Sequence, residues 1–336
     1  MLGPFSPLAL RPAWIAMALV CAAGPAAAAQ ALAHAADHCA VIEGVAGAED
    51  IAIDAADGLA FISATDRFAP KAHPTDQDGL YVSRLTDGAH RMVKLAGGPG
   101  DFHPHGISLF RDKGGALTLM AVNHLGGGTS SVVVFDVRLS GARVSVVERR
   151  TVAGPAMQSP NDLAAVDGDR FYVSDDRTGK LLYFDGESLQ EVATGLKTAN
   201  GVGISPDQAH VYVAETTGRD VQTFSRDPTT GALSPEGRLP MSGAPDNIDV
   251  GPDGGLWVAV HPDVMAFLAW FRDPTARPSP SQVFKVAVAN GIPSSASPAY
   301  ANAGDQIGAA SVGAVAGRKL FIGSTLDKKV LVCDIP

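Results

Sequence analysis

The sequence predicts an all-β fold: a six-bladed β-propeller closed by pairing of its N- and C-terminal segments. Three observations carry this expectation. Short β-type runs alternate with Gly, Pro and Asp turns, one polar motif recurs at blade spacing, and a cysteine lies near each end of the chain.

The β-type runs fall at 51–53, 59–62, 117–122, 132–137, 171–173, 181–184, 211–213, 256–258 and 320–322. Turns such as Asp57-Gly58, Gly114-Gly115, Asp167-Gly168 and Asp253-Gly254 separate them. The recurring motifs are Glu49-Asp50-Ile51, His105-Gly106-Ile107, Asn161-Asp162-Leu163, Asn200-Gly201-Val202 and Asp246-Asn247-Ile248. Their starts are separated by 56, 56, 39 and 46 residues, about one four-stranded blade each. A further unit around Ser311-Val312 makes six. A sandwich would not repeat polar residues at one point of every unit, whereas a propeller brings such points together around its channel.

The ends of the chain carry their own signals. Residues 1–29 read as a cleaved secretory signal peptide, with Arg11, an apolar stretch over 14–23 and a small-residue tail ending at Ala27–Ala29. That leaves 30–336 as a single propeller catalytic domain, exported to the periplasm or the extracellular space. No later stretch nears the roughly 20 apolar residues of a membrane span. With Cys21 removed, only Cys39 and Cys333 remain, and in an exported protein such a pair reads as a disulfide. Closing so long a loop stabilises by roughly 4–5 kcal/mol or more in the chain-entropy account.

Composition narrows the partners. The chain is 46% hydrophobic and 18% charged with a net charge of -9, which argues against nucleic acid and suits a protein that holds cations. The expected partner is a small molecule.

The motif residues are carboxylates and amides, hard oxygen donors of the kind that surround calcium in sets of 6–8. Glu49, Asn161, Asn200, Asp246 and Asn247 form one candidate set. Asp50 and Asp162 follow by one residue, so strand alternation points them the other way, toward a second and deeper ion. His105 and His124 sit symmetrically about the Gly114-Gly115 turn. In a hairpin without a bulge they face one another, as a general base and its orienting partner would. No Gly-x-Ser-x-Gly, His-Glu-x-x-His, P-loop or Gly-x-Gly-x-x-Gly pattern competes with this set.

The runs 47–51 and 58–63, Phe102-His-Pro-His105-Gly-Ile107-Ser108, Val122-Asn-His124, Asn161-Asp162, Ala199-Asn200-Gly201, Asp246-Asn247-Ile248 and Trp257-Val-Ala-Val-His261-Pro262 resemble, in order, the paraoxonase/arylesterase family. The resemblance implies a six-bladed propeller with two calcium ions that hydrolyses lactones and aryl esters. It implies that Glu49, Asn161, Asn200, Asp246 and Asn247 hold a catalytic calcium. Asp50, Asp162 and the Ile107 carbonyl would hold a structural one, His105 and His124 would be the histidine dyad, and Cys39 and Cys333 the terminal disulfide. Three departures bear on substrate range: Asp176-Arg177 stands where the family has Asp-His, Phe68 replaces a lid tyrosine, and the long lid segment of the animal enzymes is missing. Two other readings stay open: a gluconolactonase-type sugar lactonase with one divalent ion, and a non-catalytic ligand-binding propeller with calcium as a plug.

Overall fold

The structure is a computed structural model and describes residues 38–69, 74–126 and 128–335. The expected signal segment, 1–29, lies outside the described residues.

Six four-stranded antiparallel sheets form the blades of the propeller. The first comprises β2 (Ala48–Asp54), β3 (Leu59–Ala64), β4 (Gly79–Arg84) and β5 (Val93–Lys94). The second comprises β6 (Pro104–Arg111), β7 (Leu117–His124), β8 (Ser130–Ser140) and β9 (Arg143–Val152). Next come β10 (Pro160–Ala165), β11 (Phe171–Asp175), β12 (Lys180–Phe184) and β13 (Leu189–Thr194). The fourth blade is β14 (Ala199–Ile204), β15 (His210–Glu215), β16 (Asp220–Arg226) and β17 (Leu233–Pro240). The fifth is β18 (Ala244–Val250), β19 (Leu256–His261), β20 (Ser281–Ala289) and β21 (Ile292–Asn302). The last joins β22 (Ala310–Ala316), β23 (Lys319–Ser324) and β24 (Lys329–Asp334) to the N-terminal strand β1 (Cys39–Glu43).

The sixth blade is therefore made from both ends of the chain. Cys39 pairs with Cys333 across β1 and β24, and the two are joined by a disulfide 294 residues apart in sequence. The covalent tie and the strand pairing close the ring together. Cys333→Ser is expected to lower unfolding stability by about 3–5 kcal/mol, read from guanidinium unfolding, because the denatured chain regains the closed loop's freedom. An unchanged midpoint would show that strand pairing alone holds the closure.

The core lies between blades rather than in one centre. Phe61, Leu119 and Phe135 pack in one inter-blade cluster, and Phe171, Leu182 and Met120 in the next. Strand faces that are apolar on both sides follow from this, since each blade is covered by two neighbours.

The inner strands β2, β6, β10, β14, β18 and β22 start at the recurring motifs, and each is irregular there. Register shifts fall between Ala48 and Asp50, Pro104 and Ile107, Pro160 and Leu163, Ala199 and Val202, Pro245 and Ile248, and Ala310 and Val312. Six bulges thus coincide with six polar motifs. A bulge leaves its extra residue outside the ladder and re-aims the side chain. The strict alternation expected from the sequence therefore fails at these positions, and the bulges, rather than strand parity, direct Glu49 and Asp50. The expected bulge-free pairing of His105 with His124 is corrected in the same way. Pro104 lies opposite Asn123 and Ile107 opposite Ala121, so His105 falls within the bulge.

One helix interrupts the fifth blade: α1 (Val264–Arg272) links β19 to β20, with the Asp263 carboxylate accepting from Ala266 N at its start. Its Trp270 is buried against Ala309 and Leu326 and stands 6.1 Å from the Phe68 ring. Among the described residues no helix is long and apolar enough to cross a membrane.

Candidate functional site

The bulged residues gather at one end of the channel. Glu49, Asn161, Asn200, Asp246 and Asn247 are all buried there. Burying a carboxylate or amide oxygen without a partner is costly, yet Glu49 Oε2, Asn161 Oδ1, Asn200 Oδ1 and Asn247 Oδ1 have no hydrogen-bond partner among the described residues. The nitrogen side of Asn247 is satisfied: Nδ2 donates to Glu49 O at 3.1 Å and to Glu49 Oε1 at 2.9 Å. Its oxygen is therefore oriented away from that contact. Ser311 Oγ donates to the same Glu49 carbonyl at 2.7 Å. His261 Nε2 holds Asp246 Oδ2 at 2.8 Å and is backed by the Phe267 ring at 4.5 Å.

Glycines let this ring close up. A Cβ on Gly201 would lie 2.5 Å from Asp246 O and 2.6 Å from Asn247 Cα, and one on Gly106 would lie 2.4 Å from Asp162 Oδ1. The second motif residue is glycine in the second and fourth blades because the neighbouring strand occupies the place of its side chain.

Beneath the ring, Asp50 Oδ1 accepts from Ile51 N at 2.8 Å and Oδ2 from Ile107 N at 2.7 Å. Asp162 repeats this with Leu163 N and Val202 N, both at 2.7 Å. Ile107 meets Asp50 through its N–H. Asp50, Asp162 and Asp249 line a cavity of about 200 Å³ toward the far mouth of the channel.

Desolvation dominates the electrostatics. Burial, and then the charge of Asp246, raises Glu49 to about 8. Burial, and then Glu49, raises Asp50 to about 8, and Asp162 is pushed well up by burial and by Asp50. Acids stacked this closely ionise together only if a cation offsets them. Among the described residues no group of three or more His, Cys, Asp and Glu side chains is drawn together for a metal. The unpartnered donors are instead mostly amide oxygens, a set that fits a hard divalent cation rather than a soft one.

The histidines meet despite the bulge. His124 Nε2 lies 3.0 Å from His105 Nδ1, the rings are 5.0 Å apart and near perpendicular, and His124 Nδ1 contacts Ser130 Oγ at 3.0 Å. His105 Nε2 faces Glu49 Oε1 at 3.3 Å. Arg67 was not anticipated: its Nη2 is 3.0 Å from His105 Nδ1. A guanidinium only donates, so Nδ1 is the acceptor and the proton of neutral His105 lies on Nε2, toward Glu49. Burial, and then the charge of Arg67, pulls His105 down to about 3, so it is neutral at ordinary pH.

Arg67, His105, His124, Asp176, Arg177 and Phe271 line a cavity of about 430 Å³ at the histidine pair. Sequence reasoning also passed over His261 and Ser311 as site residues. His261 ends β19 much as His124 ends β7, and that parallel was the available signal. Arg67 lies in the β3–β4 loop, where no periodicity marks it.

The arylesterase family profile matches residues 31–178 and 175–335. Human serum paraoxonase/arylesterase 2 is 30% identical over 324 residues, covering 89% of each chain. Among solved structures, the periplasmic gluconolactonase of Pseudomonas aeruginosa aligns at 14% identity with a TM-score of 0.53 over 85% of this chain and 88% of that one. The calcium-binding protein regucalcin of Agrobacterium tumefaciens aligns at 12% identity with a TM-score of 0.53 over 88% and 93%. The two structures share the propeller fold; the family profile spans nearly every blade, and the chain belongs to the paraoxonase/arylesterase family.

Proposed function

We propose that this protein is a calcium-dependent hydrolase of lactones and aryl esters. The observation that carries the reading is the ring of buried, unpartnered oxygens beside the His105–His124 pair. Family membership supports the hydrolase class, and the oxygen set supports the metal. In this reading Glu49, Asn161, Asn200, Asp246 and Asn247 hold the catalytic calcium, while Asp50, Asp162 and the Ile107 carbonyl hold a second ion. When bound, calcium supplies Lewis acidity at the ester carbonyl oxygen, where negative charge develops.

The rest falls to the chain's own groups. His105 accepts a proton from the attacking water at Nδ1, and His124, whose Nε2 lies 3.0 Å from that nitrogen, orients the imidazole. Glu49 Oε1, facing Nε2, stabilises the imidazolium in between. Ser130 Oγ holds the far nitrogen of His124. The bond from water oxygen to carbonyl carbon forms, the bond from that carbon to the ring or aryloxy oxygen breaks, and the departing oxygen takes the proton back. Neither step needs a covalent acyl-enzyme. His105→Gln is expected to lower kcat/KM by about 10²–10⁴ while leaving calcium-dependent melting intact. A loss far below tenfold would remove the dyad and leave the metal role standing.

Titration of the ring gives a second expectation. Without calcium, Glu49 is raised from 4.5 to about 8, so between these values the folded protein holds a proton that the unfolded chain has released. Stability of the calcium-free protein then falls as pH rises through that window. Calcium pairs the ionised carboxylates and cancels the loss. The gap in Tm between calcium-loaded and chelated protein is therefore expected to widen from about pH 6 to about pH 9. A gap that narrows would mean the acids are not ligands.

Export after removal of residues 1–29 is part of the proposal, and the Cys39–Cys333 disulfide supports an oxidising compartment. Phenyl acetate and a panel of aliphatic and sugar lactones, assayed with and without EDTA, test the reading. Hydrolysis restricted to sugar lactones would favour a gluconolactonase, and none at all a ligand-binding propeller.

A further inference from the structure

Arg67 sits half-buried on the wall of the site cavity, with one N–H directed at His105 Nδ1. Arg177 lines the same cavity. Neither guanidinium forms an ion pair among the described residues. Glu49, Asp78 and Asp246 act on the Arg67 charge without pairing with it: Glu49 faces His105 and Asp246 faces His261. Asp66 takes Phe68 N at 3.0 Å and Lys328 Nζ at 3.1 Å. Asp78 takes Thr75 Oγ1 at 2.7 Å and His103 Nδ1 at 3.1 Å. Asp176, on the same wall, pairs with neither arginine.

A guanidinium stays charged and carries five donors in a planar fork that best matches a carboxylate. A single imidazole nitrogen is a poor partner for it. It is also the wrong one for turnover, because the attacking water must reach Nδ1, which Arg67 covers. An acceptor that draws Arg67 away both satisfies the charge and uncovers the base. Among the described residues no carboxylate forms an ion pair with Arg67, which leaves the guanidinium for one that arrives with the substrate.

We infer that Arg67 and Arg177 form a receptor for a substrate carboxylate, so that the site takes lactones or esters whose acyl part bears a second, ionised carboxyl group. The inference rests on the hydrolase reading above. Hydrolysis of such a lactone adds water across the ring ester and yields a hydroxy-dicarboxylate, with no further reactant.

The test compares γ-butyrolactone with its ring-carboxylated analogue on calcium-loaded protein, with phenyl acetate as a general substrate. The wild type is expected to favour the carboxylated lactone in kcat/KM by about tenfold or more. Arg67→Met should cut that preference by about 10–100-fold, chiefly through KM, Arg67→Lys should retain part of it, and Arg177→Met should weaken it in the same direction. A merely structural Arg67 would lower both lactones by one factor and leave the preference unchanged, which overturns the receptor. A wild type that hydrolyses the neutral lactone at least as well overturns it too, with the hydrolase reading intact. Failure on all three substrates removes the hydrolase reading itself. If Arg67→Met does not fold, the Lys and Arg177 variants decide.

Discussion

Glu49→Gln is expected to reduce lactone and ester hydrolysis by about 10³-fold or more. Glu49 is the side chain where every part of the site meets. Asn247 donates to its Oε1 and its carbonyl, Ser311 donates to that carbonyl, and His105 Nε2 faces Oε1. Its other oxygen, Oε2, is buried without a partner. The amide keeps the shape and removes the charge, so the loss cannot be ascribed to a cavity. The same change predicts opposite effects on stability. Glu49 is raised to about 8 by burial, so at higher pH its ionisation strains the calcium-free protein. The Gln variant should therefore melt higher than wild type when both are chelated at about pH 9, and gain less from calcium. Activity within tenfold of wild type would show that the carboxylate is not part of the reacting centre.

Gly201→Ala is expected to be a severely damaging small change at the site. The added methyl would sit 2.5 Å from Asp246 O, 2.6 Å from Asn247 Cα and 2.7 Å from Ile248 N, all within the adjacent inner strand. No side chain can rotate to make room, so the two strands must part at the point where both contribute oxygens. A cost of about 3 kcal/mol or more follows, with loss of activity even in the fraction that folds. Gly106→Ala should behave alike, because Asp162 fills its place. Gly88→Ala is the control: nothing lies within 4 Å of its Cβ, and a change within about 0.5 kcal/mol is expected. Equal stability of the Gly201 and Gly88 variants, by denaturant unfolding, would show that the inner strands are not packed this closely.

Much of this architecture is legible in the residues, and the reason is repetition. Five motifs at blade spacing mark five of the six inner strands, and Ser311 marks the sixth. The terminal cysteines mark the closure. The bulges are not legible, because a bulge depends on how one strand pairs with the next. Hence Glu49, the extra residue between the pairs of Ala48 and Asp50, could not be aimed from alternation alone. Arg67 is invisible for another reason. Its role depends on a loop folding back over β6, and neither burial pattern nor motif records that. The helix α1 is apolar on nearly every side, so its period does not stand out from the strands around it. Asp50 and Asp162 accept from backbone amides of neighbouring blades, Ile107 N and Val202 N. What the structure adds is that these contacts run between blades, so the second layer of acids ties the ring as well as facing the channel.

Calcium binding by the buried oxygen ring, and the dependence of hydrolysis on it, carry the proposed function. The most direct measurement is a calorimetric titration of metal-depleted protein with calcium, run alongside lactone hydrolysis on the same samples. The predicted result is saturable uptake of two ions, with hydrolysis absent before calcium and restored as the sites fill. Full hydrolysis by the metal-depleted protein, or no calcium uptake, would contradict it.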